Sequence, residues 1–282
     1  MGRMKTGIEL VEYSNQVSEA KANSSALRLI ILGILAGAYI AFAAEASTMA
    51  AYNLLADSAT YGLGRALSGV VFAGGLIFCV IAGAELFTGN TLMAGAVSLK
   101  RISFGGMLRN WGIVYAANFV GSILIVYMMS RTGLWHSSSD LLGAMVIKIA
   151  AGKTALSFES AFVLGILCNW LVCVAVWMAW AADNVAGKII AIIFPIWLFV
   201  LSGFEHSIAN MYYIGAGIFA LNTPEFAAKA AEIGVSESAL AGLNWHGFLV
   251  ENLIPVTSGN IVGGVVFVAL AYVIANRTKA SK

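Results

Sequence analysis

The stretch Gly203–Asn210, GFEHSIAN, sits in the middle of an apolar run from Ile189 to Leu221. A helix crosses the hydrocarbon core of a bilayer in about 20 residues. The run is longer than one straight span needs, and its centre carries Glu205, His206 and Asn210. Ionisable groups at membrane depth are costly, and they face a pathway or a buried partner. A second stretch has the same build: Gly83–Asn90, GAELFTGN, inside the apolar run from Ala66 to Leu99. Both fit Gly-x-Glu-x-x-x-x-Asn. The pattern predicts two interrupted helices that meet near the bilayer midplane.

The whole composition agrees. Of 282 residues, 60% are hydrophobic and only 11% charged, and the mean hydropathy is +0.87. That is a polytopic membrane protein. A net charge of +2 is too small to suggest a nucleic-acid partner. Cys79, Cys168 and Cys173 all fall in apolar spans, which argues for buried thiols and against a disulfide framework or a zinc site. No metal or cofactor is expected. The first 25 residues are polar and hold no cleavable signal pattern.

The expected organisation is a single all-α transmembrane domain over residues 1–282 with six spans. An N-terminal segment, 1–26, is predicted to hold a short helix. Its Ile8, Val11 and Val17 could lie on the membrane surface, or the helix could pack on the protein itself. Spans follow at about Leu27–Ala51, the run ending at Leu99, Met107–Met129, Phe158–Ala182, the run around His206, and Phe248–Ala275. Pro255 is expected to kink the last. A moderately apolar stretch with Lys148 and Lys153 precedes the fourth. Residues 222–247 form an acidic loop, and 276–282 a basic tail. With both termini inside, eleven Lys/Arg fall inside and five outside. The positive-inside rule therefore places both termini in the cytoplasm.

The halves repeat. Gly33-Ile34-Leu35 is matched by Gly165-Ile166-Leu167, and the Gly-x-Glu-x4-Asn element occurs once in each half. Asn110 and Asn118-x-Val120-Gly121 are matched by Asn252 and Asn260-x-Val262-Gly263. Three spans per repeat is an odd number, so the halves lie inverted. Inverted repeats with broken helices point to a substrate path at the repeat interface.

Half-helix N-termini aimed at the midplane favour an anion. Asn90, Asn210, Glu85 and Glu205 could satisfy the freed backbone groups and do nothing more. His206 stands apart, because imidazole changes charge near neutral pH. Phe72 and Leu76 share a helix face, Leu86 and Phe87 lie in the first break, and Phe199 precedes the second. Each alone reads as packing; together they read as dry constrictions around a polar centre.

AELFTGN, GILCNWLVC and GFEHSIANM together resemble the signature segments of the formate/nitrite transporter family, with overall appearance closest to its hydrosulfide-channel branch. The resemblance covers nearly the whole chain. It implies an aquaporin-like six-helix protomer, a homopentamer, and one pore per protomer. It implies a central His206 near Thr88, between constrictions at Phe72, Leu76, Leu86, Phe87 and Phe199. It also implies Lys153, Asn169 and Glu205 as partners coupled to the histidine.

The function expected is a channel or transporter in the plasma (inner) membrane, not an enzyme. It would move small monovalent anions of weak acids, hydrosulfide first, with formate or nitrite as alternatives, through a proton relay at His206. An aquaporin-type neutral-solute channel fits the repeat, but neither break holds Asn-Pro-Ala. A membrane hydrolase using a serine and His206 lacks a Gly-x-Ser-x-Gly elbow.

Overall fold

Gly83 and Gly203 each end a helix in the left-handed region, at φ 83° and 82°, where an L side chain is strained. In the computed structural model, which describes residues 3–276, these glycines mark the two breaks. The first repeat runs α1 (Ile8–Ala22), α2 (Ala26–Ala56), α3 (Tyr61–Ala82), the break, α4 (Phe87–Asn90), α5 (Met93–Ser98) and α6 (Phe104–Met129). The second runs α7 (Leu141–Thr154), α8 (Phe158–Ala181), α9 (Val185–Ser202), the break and α10 (Ser207–Ala220). Short helices α11 (Pro224–Glu232) and α12 (Glu237–Gly242) replace the expected acidic loop. The last span is a π-helical stretch Gly247–Leu253, then α13 (Ile254–Gly264), a second π stretch Val265–Leu270 and α14 (Ala271–Ala275). The described residues contain no strand. Of the basic tail, residues 277–282 lie outside them.

Among the described residues, six helical segments are long and apolar enough to cross a membrane: Ala26–Ala56, Tyr61–Ala82, Phe104–Met129, Phe158–Ala181, Val185–Ser202 and Gly247–Ala275. Exposed Leu27, Leu63, Phe104, Phe158 and Phe194 dot their outer faces. The N-terminal helix packs on the protein: Leu10, Val11, Ser14 and Ser18 are buried under it, while Ile8 is exposed. The last span is widened by a π turn directly ahead of Pro255, in place of a simple proline kink.

The repeats pack alike. Helix α2 lies against α3 and α6, and α8 lies against α9 and α13. At each crossing the backbones nearly touch. A Cβ on Gly121 would stand 2.0 Å from Ile34 O, and one on the matching Gly263 would stand 2.3 Å from Ile166 O. Small residues at such crossings let membrane helices approach closely. Serine caps recur as well: Ser25 accepts the Arg28 N–H and Ser157 the Ser160 N–H.

Candidate functional site

A broken helix leaves backbone groups without partners, and in a membrane each must be satisfied by protein. Here both breaks use one solution. The Glu85 N–H donates to Leu32 O (3.1 Å), and the Glu205 N–H to Leu164 O (3.3 Å). The Phe87 N–H donates to Asn118 Oδ1 (3.0 Å), and the Ser207 N–H to Asn260 Oδ1 (2.9 Å). Asn118 Nδ2 returns two bonds, to Gly33 O and Glu85 O; Asn260 Nδ2 does the same to Gly165 O and Glu205 O. The repeat asparagines of α6 and α13 are thus fasteners of the breaks.

The carboxylates follow the same pairing. Lys153 Nζ meets Glu205 Oε1 at 2.7 Å, and Asn210 Nδ2 meets Glu205 Oε2 at 2.6 Å. In the other half, Lys21 Nζ and Asn90 Nδ2 both meet Glu85 Oε2 at 2.7 Å. Asn210 and Asn90 are held in turn by Asn252 and Asn110, each at 2.8 Å. Asn252 and Asn110 donate back to the carbonyls of Lys153 and Lys21. Sequence reasoning missed Lys21. A signal was there: Lys21 and Lys153 precede Gly33 and Gly165 by the same interval.

His206 occupies the cap position of α10. Its Nδ1 accepts the Ala209 backbone N–H at 3.0 Å, and its Nε2 lies 2.9 Å from Thr88 Oγ1. With Nδ1 accepting, the network assigns the proton of the neutral ring to Nε2. Thr88 Oγ1 therefore accepts that proton, and the threonine hydroxyl hydrogen is left to donate elsewhere.

Asn169 sits behind this contact and does not touch the ring. Its Nδ2 lies 3.2 Å from Thr88 O, 3.1 Å from Thr91 Oγ1 and 2.6 Å from Asn260 O. The Thr88 carbonyl also accepts from Thr91 Oγ1 (2.6 Å) and Cys173 Sγ (3.5 Å). Thr91 and Cys173 carried no sequence signal. The matching position to Asn169 in the first repeat is Gly37, so this brace exists in one half only.

Two cavities approach the centre from opposite faces. The one on the face away from the N-terminus, about 330 Å³, is lined by Phe72, Phe199 and His206, and by Arg65, Lys148, Lys153 and Glu205. Phe72 and Phe199 meet edge to face at 5.7 Å, and Phe199 stacks on His206 at 6.0 Å. The other, about 260 Å³, lies under α1 and is lined by Leu76, Leu86, Lys21 and Glu85. Phe87 lines neither; its ring packs against Tyr115 (4.9 Å) and Trp111 (5.9 Å). Among the described residues no group of His, Cys, Asp and Glu could hold a metal ion.

A family model described as formate/nitrite transporter matches residues 8–274. The formate channel FocA of Haemophilus influenzae is 40% identical over 94% of this chain and 92% of its own. A probable formate transporter of Methanothermobacter thermautotrophicus is 38% identical over 95% of this chain and 96% of its own. Among solved structures, a pentameric formate channel with formate bound matches at TM-score 0.75 and 37% identity, over 89% of this chain and 97% of that one. An ion channel of the same family matches at TM-score 0.79 and 30% identity, over 95% and 99%.

Proposed function

Because this chain belongs to the formate/nitrite transporter family, we propose that it carries small monovalent weak-acid anions through a pore in each protomer, with formate as the main substrate. The observation that carries this is the His206–Thr88 contact of 2.9 Å, placed beside a cation-bearing cavity and flanked by phenylalanines. The relatives described as formate channels favour formate over hydrosulfide; hydrosulfide and nitrite remain arms of the test. The pentameric relative supports a homopentamer. The eleven-to-five distribution of Lys and Arg supports a plasma-membrane orientation with both termini cytoplasmic. The cavity under α1 is then the inner vestibule and the other the outer one.

An anion reaching the outer vestibule meets Arg65, Lys148 and Lys153. Arg65 and Lys148 bond backbone carbonyls of Val200 and Ile233, so their charges are not cancelled by carboxylates. In this reading Phe72 and Phe199 strip water from the anion, and a bare anion is penalised by several kcal/mol. The Thr88 O–H is free to donate to it. Moving a proton onto the anion removes most of the penalty, since formic acid is small and neutral.

Such a relay first needs a second proton, taken from solution, on the neutral ring. A second proton on the ring has one vacant nitrogen, Nδ1, and there it displaces the Ala209 N–H. The imidazolium Nε2–H then passes to Thr88 Oγ1 as the Thr88 O–H proton passes to the carboxylate. Charging His206 therefore uncaps α10, which costs about 1 kcal/mol. Leu76 and Leu86 form the inner constriction in this reading. Phe87, turned to Tyr115 and Trp111, supports the break from behind.

The test is a side-by-side flux series in proteoliposomes with formate, nitrite, hydrosulfide and water at several pH values. Formate flux that rises as pH falls is expected. Water flux with no anion flux would overturn the proposal in favour of a neutral-solute channel. Labelling of a Lys100→Cys variant from outside intact cells would overturn the orientation.

A further inference from the structure

Three carboxylates are buried among the described residues: Glu45, Glu85 and Glu205. The breaks account for two. Glu45 lies well inside α2, away from both. Its Oε2 accepts the hydroxyl of Tyr212 on α10. Its Oε1 faces the indole N–H of Trp135, and neither atom has another partner.

The other repeat builds the matching place without a carboxylate. Aligning Gly33 with Gly165 sets Glu45 against Trp177, and aligning Gly83 with Gly203 sets Tyr212 against Leu92. Trp177 and Leu92 are both buried. The same place in the other half is therefore filled by apolar side chains. A polar pair at membrane depth is costly, and its presence in one half calls for a role outside packing.

Its position supplies one. Thr88 is mounted on α8 and α13 through Asn169, and on Cys173 of α8. His206 is mounted on α10. On one side α10 is tied to its own repeat, through Asn210 to Glu205 and Asn252. Tyr212–Glu45 ties it by a buried side-chain hydrogen bond to α2, in the first repeat. The two ends of the His206–Thr88 contact share one anchor, Asn260 of α13, which holds Ser207 N–H and Glu205 O beside the histidine and, through Asn169, the Thr88 carbonyl; the tie to α2 is left to set the rotation of α10 about that anchor.

We propose that Glu45 is a positioning residue. As the acceptor for Tyr212 it seats α10 so that His206 Nε2 stays within reach of Thr88. The functional part of this inference rests on the reading of His206–Thr88 as the transport centre.

The test uses Glu45→Gln, Glu45→Leu, Tyr212→Phe and the Glu45→Leu/Tyr212→Phe double variant, each purified as the intact assembly. Tyr212→Phe removes only the hydroxyl, so it serves should Glu45→Leu fail to assemble. Glu45→Leu and Tyr212→Phe should each lower formate flux about tenfold, the scale of one buried hydrogen bond, and flatten its pH profile. Glu45→Gln keeps an acceptor oxygen and should stay within about twofold of wild type. The double variant should be no worse than either single one, because the two residues act as one tie.

A second readout does not depend on what His206 does. Tyr213 neighbours Tyr212 and lines the outer vestibule. In a Tyr213→Cys background, Glu45→Leu should change the labelling rate by a charged thiol reagent. Changed labelling with unaltered transport supports the tie and counts against the His206 reading alone. Unchanged labelling and flux, additive losses, or a Glu45→Gln loss equal to that of Glu45→Leu would overturn the inference.

Discussion

Lys21 Nζ stands 2.7 Å from Glu85 Oε2, so the first break draws its cation from a helix that precedes the first span. Lys153 and Glu205 repeat the arrangement at the second break, also at 2.7 Å. Both pairs are largely buried. Removing one partner of a fully buried pair costs about 3–5 kcal/mol, because the other charge is stranded. Glu85 keeps Asn90 as a donor, so the lower end of that range applies. Lys21→Ala is expected to impair formate flux as severely as Lys153→Ala, and Lys21→Arg to retain part of it. Uptake kinetics of the three variants check this; a silent Lys21→Ala would remove the inner lysine from the mechanism.

Asn118 and Asn260 each satisfy three backbone groups at a break. A leucine of similar volume at either position leaves a buried N–H and two carbonyls short of a partner. Each such group costs about 1–3 kcal/mol. Asn118→Leu and Asn260→Leu should therefore lower the thermal unfolding temperature of the detergent-solubilised protein strongly and to a similar degree. Gly121→Val should do the same by steric means, since its Cβ would fall 2.0 Å from Ile34 O. Wild-type melting of Asn118→Leu would show that the break is held by something else.

Helix α1 is clamped by Arg101, in the turn between α5 and α6. Its Nη1 and Nη2 donate to both Glu12 oxygens at 3.0 Å, and its Nε to Glu19 Oε1 at 2.6 Å. Chiefly the Arg101 hydrogen bond holds the Glu12 carboxyl below its ordinary value of 4.5. A depressed carboxyl stabilises the docked form fully above that ordinary value and loses the contribution as pH falls through the lowered one. Docking should therefore be intact at neutral pH and weaken in acid, as pH falls below that ordinary value. Spin labels at Gln16 on α1 and Gly105 on α6 report the separation. The distance should lengthen in acid for wild type and at neutral pH for Arg101→Ala. An unchanged distance in Arg101→Ala would mean that buried Leu10 and Val11 and the Lys21–Glu85 pair hold the helix without it.

The fold was legible because its signals are periodic or repeated. The run lengths, the paired Gly-x-Glu-x4-Asn elements and the asparagines of α6 and α13 set the six spans and their inversion. Of the proposed site, His206 stood out because an ionisable ring in a membrane break is costly without a partner. Lys21 did not, because it lies in a polar segment where lysine is ordinary; the repeat interval alone marks it. Cys173 and Thr91 pass for core residues, since nothing local shows that they aim at one carbonyl. Phe87 shows the reverse case. An aromatic in a break reads as pore-lining, yet its N–H is fastened by Asn118 and its ring turns to Tyr115 and Trp111.

The His206–Ala209 contact makes a sharper prediction than the presence of a histidine. Asparagine is a good helix cap, and its Oδ1 can accept the Ala209 N–H as Nδ1 does. His206→Asn therefore keeps the start of α10 and removes only titration and the Nε2–H that meets Thr88. Stability should change by less than about 1 kcal/mol. Transport should change in kind. Uptake of formate should lose its pH-dependent step, and anion current should rise relative to uptake, because an anion would cross without taking a proton. His206→Phe, which neither caps nor titrates, should lose stability as well. Thermal melts, electrogenic current and pH-dependent uptake in matched liposome preparations separate the two functions of the ring. Matching currents and pH profiles for wild type and His206→Asn would leave the histidine as a cap for α10 and nothing more.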